Sequence, residues 1–202
     1  MLRYLVRSLH NAYLLSGAIR RGMWLLCLCS VLACASAWAD VTAPTLEQQV
    51  KAAYLYRFVD HIEWPDGALS GTQNALTIGV VGDAGVVTAL NTLVQARGSS
   101  APAITVRAFK PGDAISGVQI LFIGTLDNHH VKNIVASLDA RPVLIVTEEE
   151  GGLDLGSMIN FVPVDNRIRF EVSLPHATHN GLKISARLLA VAQRVEREGA
   201  AK

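Results

Sequence analysis

The chain has 202 residues, 18 basic against 17 acidic, and half of them are hydrophobic. Beyond residue 39 it has no run of lysine or arginine, which makes it a poor electrostatic match for a nucleic-acid backbone. All three cysteines, Cys27, Cys29 and Cys34, precede residue 40, so the rest of the chain can form no disulfide and must be stabilised by burial alone.

The first 39 residues carry Arg3, Arg7, Arg20 and Arg21 with no acidic side chain, then run apolar from residue 23 to residue 37. That order, followed by Ala37-Trp38-Ala39, predicts a secretory signal peptide over residues 1–39, cleavage near Asp40 and a periplasmic protein. The apolar core of about 15 residues is shorter than the ~20 a bilayer-spanning helix needs. A second processing route stays open, because Val31-Leu32-Ala33-Cys34 also fits a loose lipoprotein box with Cys34 as the acylated residue. Export removes four arginines, leaving 14 basic against 17 acidic residues, net −3, over residues 40–202.

Residues 40–45 are polar and contain a proline, which reads as a short tether, and residues 46–202 follow as one domain of ordinary size. Thr45 is placed to cap a helix whose apolar residues include Val50, Ala53, Tyr54, Phe58 and Val59, and which must stop before Pro65. Six apolar runs of strand length come next, at residues 76–81, 104–109, 119–123, 143–147, 159–162 and 168–173. The first, third and fourth are nearly continuous in apolar residues, as strands covered on both faces of a parallel sheet are. Helix-like windows at residues 86–96 and 129–140 are long enough to serve as crossovers between parallel strands. The last two runs are separated only by Asp165-Asn166 and alternate in polarity, which predicts an antiparallel hairpin at a sheet edge. The apolar spacing of Leu182, Ala186, Leu189, Ala192 and Val195 predicts a closing helix over residues 177–198 with Arg187, Arg194 and Arg197 facing water.

No catalytic constellation emerges. Gly79, Gly82 and Gly85 mark a strand-to-helix turn, but their GxxGxxG spacing is not the GxGxxG that lets amides approach a pyrophosphate. His129-His130 and the pair His176 and His179 are too few, on separate elements and without thiols, to imply a zinc site. Glu148-Glu149-Glu150 lacks the alternation of a calcium loop, and Gly-x-Ser-x-Gly does not occur beyond the leader. Neither a metal nor a cofactor is therefore expected, nor enzymatic activity. The feature that does stand out is the cluster of Tyr54, Tyr56, Arg57, Phe58, His61 and Trp64 at the end of the first helix. Tryptophan and arginine anchor protein contacts when they remain at a surface, so Arg57, His61 and Trp64, together with the hairpin tip Asp165, Asn166 and Arg167, are the candidate partner-binding residues. A competing reading is a small-ligand binder whose cleft is formed by the strand ends near Gly82-Asp83, Gly124-Thr125 and Thr147-Glu148.

Taken in order, Lys51-Ala52-Ala53-Tyr54-Leu55-Tyr56-Arg57-Phe58, Glu63-Trp64-Pro65, Leu76-Thr77-Ile78-Gly79-Val80-Val81-Gly82, Ile120-Leu121-Phe122-Ile123, Val143-Leu144-Ile145-Val146, Met158-Ile159-Asn160-Phe161, Arg167-Ile168-Arg169-Phe170-Glu171-Val172 and Gly181-Leu182-Lys183-Ile184-Ser185-Ala186-Arg187-Leu188-Leu189 resemble the YfiR family of periplasmic regulators. The resemblance implies a Rossmann-like three-layer α/β sandwich, with a mainly parallel sheet of about six strands, an antiparallel edge hairpin and flanking helices. It also implies a non-enzymatic regulator that inhibits the periplasmic sensor segment of an inner-membrane diguanylate cyclase and so controls cyclic-di-GMP, biofilm and motility. An outer-membrane, peptidoglycan-binding lipoprotein relieves that inhibition in the family, and the family's frequent dimers leave room for a homodimer. Family members commonly carry a cysteine pair at the positions occupied here by Gly79 and Val118, and a second pair around residues 148–154. Both are missing, so redox control is not expected.

Overall fold

The computed structural model describes residues 43–68, 76–97 and 103–198. The predicted leader and the first residues of the tether lie outside the described residues. The first helix, α1 (Leu46–Phe58), is capped as its sequence predicts: Thr45 accepts from the Gln48 amide, and the Gln48 side chain accepts from the Thr45 amide. A single 3₁₀ turn, Val59–His61, leads into the short strand β1 (Ile62–Glu63), so the helix has ended well before Pro65.

Then follow β2 (Leu76–Val81), α2 (Ala84–Arg97), β3 (Ile104–Phe109), β4 (Ile120–Ile123), α3 (Asn128–Ser137) and β5 (Leu144–Thr147). The chain continues with β6 (Ile159–Val164), β7 (Arg167–Ser173), α4 (Leu174–His179), β8 (Lys183–Ile184), α5 (Ala186–Leu189) and β9 (Arg194–Glu196). Seven of these strands form one sheet in the order β3-β2-β4-β5-β6-β7-β9, and β1 pairs with β8 in a separate two-stranded piece. Every neighbouring pair from β3 to β6 is parallel; β6 and β7 are antiparallel.

The chain steps one way from β2 to β3 and the other way from β4 to β5. Right-handed crossovers therefore place α2 and α3 on opposite faces, which produces the three layers. Helix α1 packs beside α2, while α4 lies on the other side near the end of α3, where Asn180 donates to the carbonyls of Leu138 and Arg141. As the apolar runs predict, β4 and β5 are buried at every position and β2 at all but one. Under α1 the core is aromatic: Phe58 stacks on Phe161 at 6.1 Å and meets Phe170 edge-on at 5.5 Å. Each such ring contributes about 1.5–3 kcal/mol by burial.

Two expectations are corrected. The hairpin of β6 and β7 turns at Asp165 and Asn166, both at positive φ as a tight two-residue turn needs, but it does not form the sheet edge. Strand β9 lies outside it, parallel to β7. The predicted helix over residues 177–198 is absent. Gly181 at φ 73° ends α4, Lys183–Ile184 leaves to pair with Ile62–Glu63, Ser185 caps only one short turn, and Arg194–Glu196 pairs with β7. Arg194 faces water as expected, and from there it forks onto both oxygens of Glu171 at 2.9 and 3.0 Å and reaches Glu196 at 2.6 Å. On its side away from β6, β7 would otherwise lack backbone partners, and supplying them through Arg194–Glu196 outweighs the helical periodicity of the segment.

Candidate functional site

Parallel strands ordered in this way offer a ligand crevice where the connections diverge, here at the carboxyl ends of β2 and β4. In this chain α1 fills it. Gln48 donates to Asp83 at 2.9 Å, and Lys51, only 7% exposed, is bonded to Glu148 and lies 2.5 Å from Glu47. The Gln48 side chain lies directly on Gly85, where a Cβ would come within 2.1 Å of its amide oxygen and make it move. Burial by itself would lower the Lys51 ammonium, but its hydrogen bonds to Glu148 and Glu47 prevail and hold it above its ordinary value of 10.5.

The amides that could receive an anion are taken by the chain's own carboxylates. Asp83 accepts from Val86, Asp127 accepts from both His129 and His130, and Glu149 accepts from Leu126. The Asp127 carboxyl is held below its ordinary value first by the His130 side chain and then by that residue's amide. Among the described residues no group of three or more histidines, cysteines or carboxylates is arranged to hold a metal ion.

The six residues singled out in the sequence do not form one surface. Arg57 of α1 and His61 of the turn after it face one flank of α1, and the hairpin residues Asn166 and Arg167 lie on the other. On one flank, Asn166 and Arg167 of the hairpin line a groove of about 660 Å³ together with Leu46, Val50 and Tyr54. Leu46 is 77% exposed there. On the other flank, Arg57 and His61 line a groove of about 440 Å³ between α1 and α2, with Tyr56, Asp60 and Arg97. Asp165 is exposed at the hairpin tip and lines neither groove. Trp64 lines neither; it is half-buried against the core, and its indole Nε1 is buried with no acceptor among the described residues. His61 is held in place from the C-terminal segment: Ser185 donates its amide to the His61 carbonyl at 2.9 Å, and its hydroxyl lies 3.3 Å from His61 Nδ1. Sequence reasoning missed Lys51 and Arg97. The available signal for Lys51 was its place between the apolar Val50 and Ala52, four residues after Glu47.

Residues 48–193 match the model of the YfiR/HmsC-like family. The chain belongs to that family. The match runs from the first turn of α1 to the residue before β9, so it takes in the groove between α1 and α2, the filled crevice and all of the other groove's lining except Leu46 and Glu47. YfiR/HmsC-like proteins are periplasmic regulators associated with cyclic-di-GMP signalling, and the family is regulatory rather than catalytic. No helix among the described residues is long and apolar enough to cross a membrane. The two positions that the resemblance gives to a family cysteine pair are neighbours in space, since a Cβ on Gly79 would lie 3.1 Å from Val118 Cγ1. This YfiR/HmsC-like chain keeps the geometry at those positions without the sulfur.

Proposed function

We propose that the chain is exported to the periplasm, where it binds and inhibits the periplasmic sensor segment of an inner-membrane signalling protein, a diguanylate cyclase. The observation that carries this reading is the family match over nearly all of the fold, joined to a ligand crevice already filled by α1. The recognition surface in this reading is the outward side of α1 with its two flanking grooves, lined by Arg57 and His61 on one side and Asn166 and Arg167 on the other. Trp64 and Asp165, which line neither groove, are not counted in this contact surface.

Inhibition without chemistry works only through differential affinity. The regulator binds the sensor's inactive conformation more tightly, and a preference of about 100-fold supplies about 2.7 kcal/mol of bias toward it. An outer-membrane, peptidoglycan-binding lipoprotein that captures the regulator would release the cyclase by mass action, and self-association into a homodimer would compete for the same protein.

Deleting the gene tests the proposal. Cyclic-di-GMP and surface attachment rise on deletion and return to the parental level when the gene is restored; unchanged levels of both refute it. Fractionation tests the compartment, and intact leader-bearing protein in the cytosol would contradict export.

A further inference from the structure

We infer that the groove between α1 and α2 receives an acidic side chain from the sensor segment of the partner protein. The inference rests on the regulatory reading above and specifies the partner's chemistry. The groove is lined by two guanidinium groups, Arg57 and Arg97, and by the imidazole of His61, against a single carboxylate, Asp60. Its floor is apolar, made by Ala53 and Leu93. Residues 40–202 carry a net charge of −3, so this local excess of cations runs against the sign of the domain.

The cations also differ in how they are held. Arg97 lies over the Tyr56 ring, 5.1 Å from its centroid, and donates a hydrogen bond to the Tyr56 hydroxyl. A guanidinium fixed on an aromatic face has surrendered its rotamer freedom before a ligand arrives. Arg57 is exposed in the last turn of α1, and its side chain has no hydrogen bond or ion pair among the described residues. An arginine held in place, a second one unengaged and an apolar floor fit a glutamate: the carboxylate meets the guanidinium groups and the aliphatic stem lies over Leu93. Charge complementarity of this kind accelerates encounter and sets the register of the bound segment.

The test is made in the deletion strain, complemented with the full-length gene carrying Arg57→Glu, Arg57→Lys or no change, with cyclic-di-GMP as the readout and periplasmic abundance and thermal melting as controls. Arg57→Glu loses repression, corresponding to at least about a tenfold fall in affinity for the sensor, while Arg57→Lys retains most of it. Selection for restored repression by Arg57→Glu then yields partner changes of Glu or Asp to Lys or Arg within its periplasmic segment. If Arg57→Glu represses as well as the unchanged protein, the inference fails while the regulatory reading stands. Failure of the unchanged gene to restore repression removes both. Loss of binding to phosphatidylglycerol vesicles by Arg57→Glu, with repression intact, would assign the groove to a membrane surface and overturn the inference.

Discussion

Lys51 and Glu148, 97 residues apart, form a buried ion pair that pins α1 across the strand ends. The lysine side chain is 8% exposed and that of Glu148 10%, so neither charge has water to fall back on. Removing one partner strands the other, which costs about 3–5 kcal/mol for a buried pair. Lys51→Met therefore lowers the urea midpoint strongly, whereas Glu47→Gln, whose side chain is 57% exposed, changes it little.

The same pair has a pH signature. The Lys51 ammonium is held above 10.5 in the folded protein, so its stabilising contribution is complete below pH 10.5 and is lost as the pH rises through the folded value. Chemical denaturation above pH 10.5 shows a fall in stability that Lys51→Met lacks.

Gly152 sits against a buried polar triad. Thr147 donates to Asn160 at 2.8 Å and receives a hydrogen bond from Ser157 at 2.9 Å, all three being at most 1% exposed. A Cβ at Gly152 would come within 2.3 Å of Asn160 Oδ1 and 2.4 Å of Thr147 Oγ1. Gly152→Ala must push the triad apart, and the combined overpacking and broken hydrogen bonds cost at least about 2 kcal/mol. Gly112→Ala, with nothing within 4 Å of its Cβ but a φ of 94°, separates backbone strain from steric clash in the same melting experiment.

Restoring sulfur at two positions gives a third measurement. Because a Cβ at residue 79 would lie 3.1 Å from a γ atom at residue 118, Gly79→Cys with Val118→Cys forms a disulfide under oxidising conditions. Mass spectrometry before and after reduction detects it. A pair of free thiols in the oxidised protein would show that Leu121 and Phe109, each 3.0 Å from the same Cβ, block the required rotamer.

Trp64 supplies the fourth. Its indole Nε1 is buried without an acceptor, so Trp64→Phe removes an unsatisfied donor while keeping most of the ring. Stability changes by less than about 1 kcal/mol or rises, because deleting an orphaned donor removes its desolvation penalty. Trp64→Ala loses the packing as well and melts at a clearly lower temperature.

Much of the architecture was legible from local pattern. The nearly continuous apolar runs at residues 76–81, 119–123 and 143–147 announced central parallel strands, Asp165-Asn166 announced a hairpin, and Thr45 announced a capped helix. Each signal lies within a few residues of its consequence. The site was less legible. Arg57 and His61 do share a groove, but Asn166 and Arg167 line another and Trp64 lines neither, since it is the packing of α1 against α2 on one flank and the hairpin on the other that sets these surfaces.

From residue order alone came the fold class, the family and the lack of cysteine beyond residue 39. Tertiary structure alone decided that residues 183–184 and 194–196 are strands, that Lys51 is buried, and that the crevice between β2 and β4 is filled. The physical reason is common to all three. Apolar spacing records which side chains seek burial, but unpaired backbone groups on β1 and β7, and a carboxylate at Glu148, act on residues that lie far away along the chain, and no local pattern carries their demand.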